Sequence, residues 1–178
     1  KLFYLEGKKE SQKILEYSLS TAYDLTDITL VNTLTLTTTA NVSTANDYGR
    51  AVEFSHDGMT MFVLINDRTN NNNTSLDSVF QFSLTTAFST STASSVGSLT
   101  IPEELSLRTW GMALSPTGNK LYLASLVGST DTSRYVGSGS VDVVTQIALS
   151  CDYGIVACVS DPRSSLSSQV QLAKNNVG

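Results

Sequence analysis

Tyr17-Ser-Leu-Ser-Thr-Ala-Tyr23 returns as Phe82-Ser-Leu-Thr-Thr-Ala-Phe88, and again in altered form as Ile147-Ala-Leu-Ser-Cys-Asp-Tyr153. The copies begin 65 residues apart each time, at 17, 82 and 147. Each opens on an aromatic or branched residue, carries a Leu two positions on, and closes on an aromatic. Equal spacing of a degenerate phrase marks one structural unit used repeatedly.

A second phrase lies between the copies. Arg50-Ala-Val-Glu-Phe-Ser-His-Asp-Gly58, running on through Met61-Phe-Val63, returns as Trp110-Gly-Met-Ala-Leu-Ser-Pro-Thr-Gly118, running on through Leu121-Tyr-Leu123. Ser55-His-Asp-Gly58 and Ser115-Pro-Thr-Gly118 have turn chemistry, because Pro pre-sets φ and Gly accepts the positive φ that follows. Each phrase therefore reads as a hairpin. Lys1-Leu-Phe-Tyr-Leu5 matches Lys120-Leu-Tyr-Leu-Ala124, so the chain opens in the middle of a unit.

The strands of one unit are named a (50–55), b (60–65), c (78–84) and d (94–101). The next unit repeats a (110–115), b (120–126) and c (141–149), and the first unit supplies b, c and d only. In that first unit, period-two alternation sets Leu15, Tyr17 and Leu19 on one face. It also sets Ile28, Leu30, Asn32, Leu34 and Leu36 on one side of the following strand. Abundant Ser and Thr, together roughly a quarter of the chain, suit half-exposed strands. Four antiparallel strands repeated about every 60 residues describe the blades of a β-propeller-like, all-β protein. The expected division is 1–48, a partial first blade; 49–101, the second; 102–159, the third, with a cysteine-bracketed end; and 160–178, a short C-terminal helix or connector. The helix is read from Leu166, Gln169, Val170, Ala173, Lys174 and Val177 at helical spacing, behind Asp161-Pro-Arg-Ser-Ser165.

Strand parity carries the functional expectation. In an up-and-down sheet the b–c and d–a connections leave from the same end, and the long insertions all fall in these connections. Function concentrates on such loops. The residues chosen as a ligand or partner face are Asp67, Arg68, Arg108, Trp110, Arg134 and Tyr135, with Tyr48 and Arg50 close by in the pattern. Aromatic and Arg side chains there suit stacking on a surface glycan or anchoring a protein partner.

Several functional classes are excluded or find no support. The net charge is −5 and the pI about 4.7, which is wrong for a phosphate-binding surface, so no nucleic acid is expected. No apolar run approaches the ~20 residues of a membrane-spanning helix. His56, the single histidine, sits in a turn. Glu103 and Glu104 are adjacent, so in an extended segment they point apart rather than converging across a sugar. Two cysteines and one histidine do not make a zinc set, and no metal site is assigned. Asp67, Asp77, Asp131 and the Asn run at 70–73 are oxygen donors of the kind Ca²⁺ takes, without EF-hand spacing. Cys151 and Cys158 flank a plausible turn. They read either as a disulfide, which the extracellular texture of the rest favours, or as two half-buried thiols.

The phrase pair resembles a family of secreted repeat proteins of marine bacteria, whose blades read like YTLSTAFDVSTA followed by GIAFNxDGTKMFV. Tyr17 to Asp24 and Phe82 to Ala93 carry the first likeness. Ala51 to Val63 and Met112 to Leu123 carry the second. The segment from Ala148 to Cys158, with Asp161-Pro162 after it, is similar to the end of autotransporter passengers that lead into an outer-membrane barrel. The resemblance implies a surface-displayed, non-enzymatic adhesion or structural passenger without a cofactor. The alternative class is a propeller hydrolase acting on glycans or lactones. Fewer than four blades leave apolar faces and strand edges open. Missing blades or self-association with other copies is therefore expected.

Overall fold

The computed structural model describes residues 1–8, 11–39, 47–66, 77–102, 108–128, 140–156 and 166–171. Their strands are β1 (Leu2–Lys8), β2 (Ser11–Leu19), β3 (Ile28–Thr35), β4 (Tyr48–Phe54), β5 (Thr60–Asn66) and β6 (Ser78–Leu84), then β7 (Ala93–Thr100), β8 (Arg108–Leu114), β9 (Lys120–Gly128), β10 (Ser140–Ala148) and β11 (Leu166–Gln171). A single helical turn, α1 (Leu36–Thr39), follows β3, and a 3₁₀ turn at Thr90–Thr92 precedes β7. The protein is mostly β. Three antiparallel sheets, none closed, run in the order β1-β2-β3, β4-β5-β6-β7 and β8-β9-β10-β11. We call them sheets 1, 2 and 3.

The repeat is visible in the pairing itself. Leu2 lies opposite Tyr17, Met61 opposite Phe82, and Leu121 opposite Ile147. β1 is therefore the second strand of the unit, and sheet 1 is a unit without its first. The two hairpin turns are built alike. Gly58 and Gly118 both have φ of 71°, and their N–H groups donate to Ser55 O at 2.9 Å and Ser115 O at 2.8 Å. In the first turn Asp57 accepts from Ser55 Oγ and Met59 N–H, and these bonds hold its carboxyl below the usual range. In the second turn Asn119 plays the clasping part, accepting from Ser115 Oγ and Thr117 Oγ1.

The sheets pack face against face, and each junction has its own core. Between sheets 1 and 2 lie Ile14, Leu34 and Leu36 against Met61, Val63, Phe82 and Leu84. Between sheets 2 and 3 lie Phe62, Leu64, Val79 and Leu99 against Met112, Leu121, Leu123, Ile147 and Leu149. All are buried. Burying one such side chain stabilises by ~1.5–3 kcal/mol, so each junction holds far more than any single polar contact.

Two sequence expectations need correction here. The chain at 166–171 is a strand, not a helix. Leu166 and Val170 fit a helical face, but Leu166, Ser168 and Val170 also alternate with period two. The edge of β10 supplies the deciding partner: Val170 pairs with Val144 and Ser168 with Gln146. Ser and Val are also poor helix formers. The last strand joins sheet 3 as its fourth member, beside β10.

The second correction concerns β3. Glu16 pairs with Asn32 but Tyr17 with Leu30, so Val31 is an extra residue, a β-bulge. The bulge splits the apolar set. Ile28 and Leu30 share the outer face with Tyr17 and are exposed, whereas Leu34 and Leu36 turn into the core. Leu15, Tyr17 and Leu19 do share a face, yet they stay half-buried because the buried face of β2 is Gln12, Ile14 and Glu16.

Candidate functional site at the bulged first strands

β4 and β8 each carry a bulge at the same place. Gly49 pairs with Ile65 and Ala51 with Leu64, leaving Arg50 as the extra residue. Thr109 pairs with Ser125 and Gly111 with Ala124, leaving Trp110. A bulge releases one side chain from the pleat and re-aims it. The two released side chains meet: the Arg50 guanidinium carbon lies 5.2 Å from the centroid of the Trp110 ring and 5.5 Å from that of Tyr48. Both distances are in cation–π range, so one cation serves two rings. Trp110 keeps 47% of its surface exposed, a high value for the chain's single Trp.

Buried polar side chains hold the bulges in place. Gln12 is buried in sheet 1, and its Oε1 accepts from Gly49 N–H at 2.7 Å while its amide donates to Asp47 O. Asp77 is buried in sheet 2. Its Oδ2 accepts from Thr109 N–H and its Oδ1 from Asn66 Nδ2 at 2.7 Å. Gln12 and Asp77 stand 65 residues apart, and each fixes the residue just before a bulge. Asp142 holds the matching position in sheet 3 and is exposed.

A second recurring pair clamps the same junctions lower down. Glu16 Oε2 accepts from Thr90 N–H at 2.8 Å and from Thr90 Oγ1 at 2.7 Å, and Lys1 Nζ donates to Glu16 Oε1. Burial raises the Glu16 carboxyl, but these bonds outweigh it and hold the pKa below the ordinary value. Gln81 Oε1 accepts from Ile155 N–H at 3.1 Å and Val156 N–H at 3.3 Å, and its amide donates to Tyr153 O. Each clamp reaches from strand c of one unit, β2 or β6, to the turn that follows strand c of the next.

Of the residues expected on a binding face, Trp110 lies within cation–π distance of Arg50, which also reaches Tyr48. Arg108 stands at the start of β8, opposite Leu126. Asp67, Arg68, Arg134 and Tyr135 lie outside the described residues, as do Glu103, Glu104 and Asp131. Asp77 is hydrogen-bonded to Asn66 and Thr109, and the oxygen donors named with it lie outside the described residues. Among the described residues, no group of three or more His, Cys, Asp or Glu side chains is arranged to hold a metal ion. Cys151 is disulfide-bonded, and Cys158 lies outside the described residues. The clamp residues Gln12, Glu16 and Gln81 escaped the sequence reading. Their only signal is a polar residue recurring at a 65-residue interval inside an apolar strand.

Antiparallel order places the start of β4, the end of β5, the start of β6 and the end of β7 at one end of sheet 2. The Asp77–Thr109 bond and the Arg50–Trp110 stack bring the same end of sheet 3 alongside. In comparisons with known proteins, no family model, no curated protein and no solved structure matches the chain.

Proposed function

We propose that this chain is part of a β-propeller-like, non-enzymatic repeat protein of the bacterial surface, which binds a surface glycan or a partner protein through the end bearing the Trp110–Arg50–Tyr48 cluster. The observation that carries the reading is the half-exposed Trp110 ring, within cation–π distance of Arg50, which lies at a similar distance from the Tyr48 ring. A half-exposed ring held rigid in this way offers a flat apolar face at little cost in side-chain entropy. Sugar rings and aromatic side chains are the ligands that fit it. The disulfide at Cys151 supports an extracellular setting, where such bonds persist. Passenger-like display on a cell surface follows from the repeat resemblance and is part of the same proposal.

A glycan microarray, followed by titration of the best ligand, tests the reading. Trp110→Ala and Arg50→Ala are expected to abolish binding while leaving the far-ultraviolet circular dichroism unchanged. Binding that survives both substitutions would remove the cluster from the site.

A further inference from the structure

Sheets 2 and 3 each begin with a strand that sheet 1 lacks. β4 pairs with β5 and β8 with β9, whereas among the described strands β1 has a partner only in β2. Where that first strand is present, its closing turn does a specific job. Gly58 O accepts from Phe88 N–H at 2.9 Å, and Gly118 O accepts from Tyr153 N–H at 2.8 Å. The rings of Phe88 and Tyr153 lie flat on these glycines, so that a Cβ added at either would come within 2.4 and 2.5 Å of ring carbons.

Tyr23 is the third member of this aromatic set. It has the same left-handed backbone, with φ of 65° beside 54° at Phe88 and 55° at Tyr153. A non-glycine residue in that region carries strain that its surroundings normally offset. Among the described residues no glycine lies against Tyr23, which is 98% exposed, against 38% for Phe88. Its neighbour Leu25 matches Thr90 and Ile155 in the other sheets. Leu25 is 62% exposed, whereas those two are buried.

A second observation is independent of the first. A cavity of about 680 Å³ lies between Leu2 and Phe3 of β1 and Val52 and Phe54 of β4, with Phe88 at its end. At the following junction the corresponding space is taken: β4 itself runs there, paired with β5 and packed along β8. Phe3 and Phe54 approach to 4.5 Å between ring centroids, and Phe54 and Phe88 to 5.5 Å, so the wall of the cavity is aromatic.

We propose that the edge of β1, this cavity and Tyr23 form one acceptor site for an extended segment with the chemistry of β4 and β8, namely alternating apolar residues ending in Ser-x-x-Gly. The segment adds to β1 as an antiparallel strand, its apolar side chains enter the cavity, and its glycine carbonyl takes the Tyr23 N–H. Strand addition gives affinity through main-chain hydrogen bonds and specificity through the alternate side chains. The donor is the first strand of a further repeat unit. A second copy of this chain is a poor donor, because its own β4 and β8 are already paired.

The test uses a fluorescently labelled synthetic peptide of residues 48–59, titrated into the 178-residue chain and followed by anisotropy. Saturable one-to-one binding is expected, with a rise in the melting temperature of the chain at saturating peptide. Tyr23→Ala in the chain should weaken binding roughly tenfold or more, a loss of about 1.4 kcal/mol. Gly58→Ala in the peptide should do the same. Because the Tyr23 side chain is exposed, its removal leaves the fold intact, and the peptide variant tests the site without altering the chain. Absence of binding overturns the proposal, as does binding indifferent to the peptide glycine. Self-association of the chain that depends on Tyr23 and blocks the peptide would also overturn it, by making a second copy the occupant.

Discussion

Replacing Glu16 with Ala should loosen the junction between sheets 1 and 2 by an amount the structure allows to be worked out. Glu16 is 1% exposed and accepts from the amide and the hydroxyl of Thr90, itself 1% exposed. Without the carboxylate, the buried Thr90 N–H has no acceptor, which costs ~1–3 kcal/mol. The hydroxyl can still accept from Asn32 Nδ2, so its loss is smaller. The Lys1 ion pair, with Lys1 39% exposed, adds at most ~1 kcal/mol. The sum is about 3 kcal/mol. In a domain of this size, each kcal/mol moves the melting temperature by ~2–4 °C, so a drop of roughly 6–12 °C is expected. Glu16→Gln should lose only about 1 kcal/mol, because one carbonyl oxygen can still take the Thr90 amide. The molecule already uses that solution at the next junction, where Gln81 fills the matching place. Thermal and urea unfolding by far-ultraviolet circular dichroism at neutral pH measure all three proteins. A loss below about 1 kcal/mol for Glu16→Ala, or equal losses for Ala and Gln, would refute the clamp.

Further outcomes follow from other sites. Glu53 is raised by burial, so the folded state favours its protonated form. Its ionisation therefore takes stability away as the pH climbs from the unfolded carboxyl range through the raised folded value. Glu53→Gln should accordingly raise the melting temperature near pH 7 and change little below pH ~4. Glu16 has the opposite sign. Its lowered pKa contributes stability that is present above the unfolded value and is lost as the pH falls through the folded one, so the acid limb of a stability–pH profile should flatten in Glu16→Gln. Gly118→Ala must hold a φ of 71° with a Cβ against the Tyr153 ring, and it should cost about 2–4 kcal/mol, read from the urea midpoint. Asp77→Ala should release the strand before Trp110, seen as a red shift of the emission and easier iodide quenching of the chain's single Trp.

The hairpins and strand positions were legible because their signals are local. Ser-x-x-Gly fixes a turn wherever it stands, and the 65-residue interval carries the reading from one unit to the next. Facing was less legible, because one extra residue reverses it. Nothing in Leu30-Val-Asn32 announces that Val31 is a bulge, yet Leu30 and Leu34 end on opposite faces. The same device releases Arg50 and Trp110, so the feature that misled the alternation is the one that builds the candidate site. The segment at 166–171 was misread because its spacing fits two periods, and the decision rests with the edge of β10, far away in sequence. Gln12 and Asp77 could not be read as clamps, since the groups they hold across the junctions, Gly49 and Thr109 N–H, are main-chain amides and leave no mark on the residue types opposite.

Glu16 and Gln81, the matching clamps of successive junctions, differ by a single atom type. Glu16 can be protonated, whereas Gln81 cannot. Acid therefore acts on the Glu16 clamp at the first junction, whereas at the second the carboxylate is Asp77 beside the bulge and the Gln81 clamp stays neutral, so the two junctions give way to acid at opposite ends. In a stack whose members touch only their neighbours, the place of the titratable group within each interface then decides where that interface opens first.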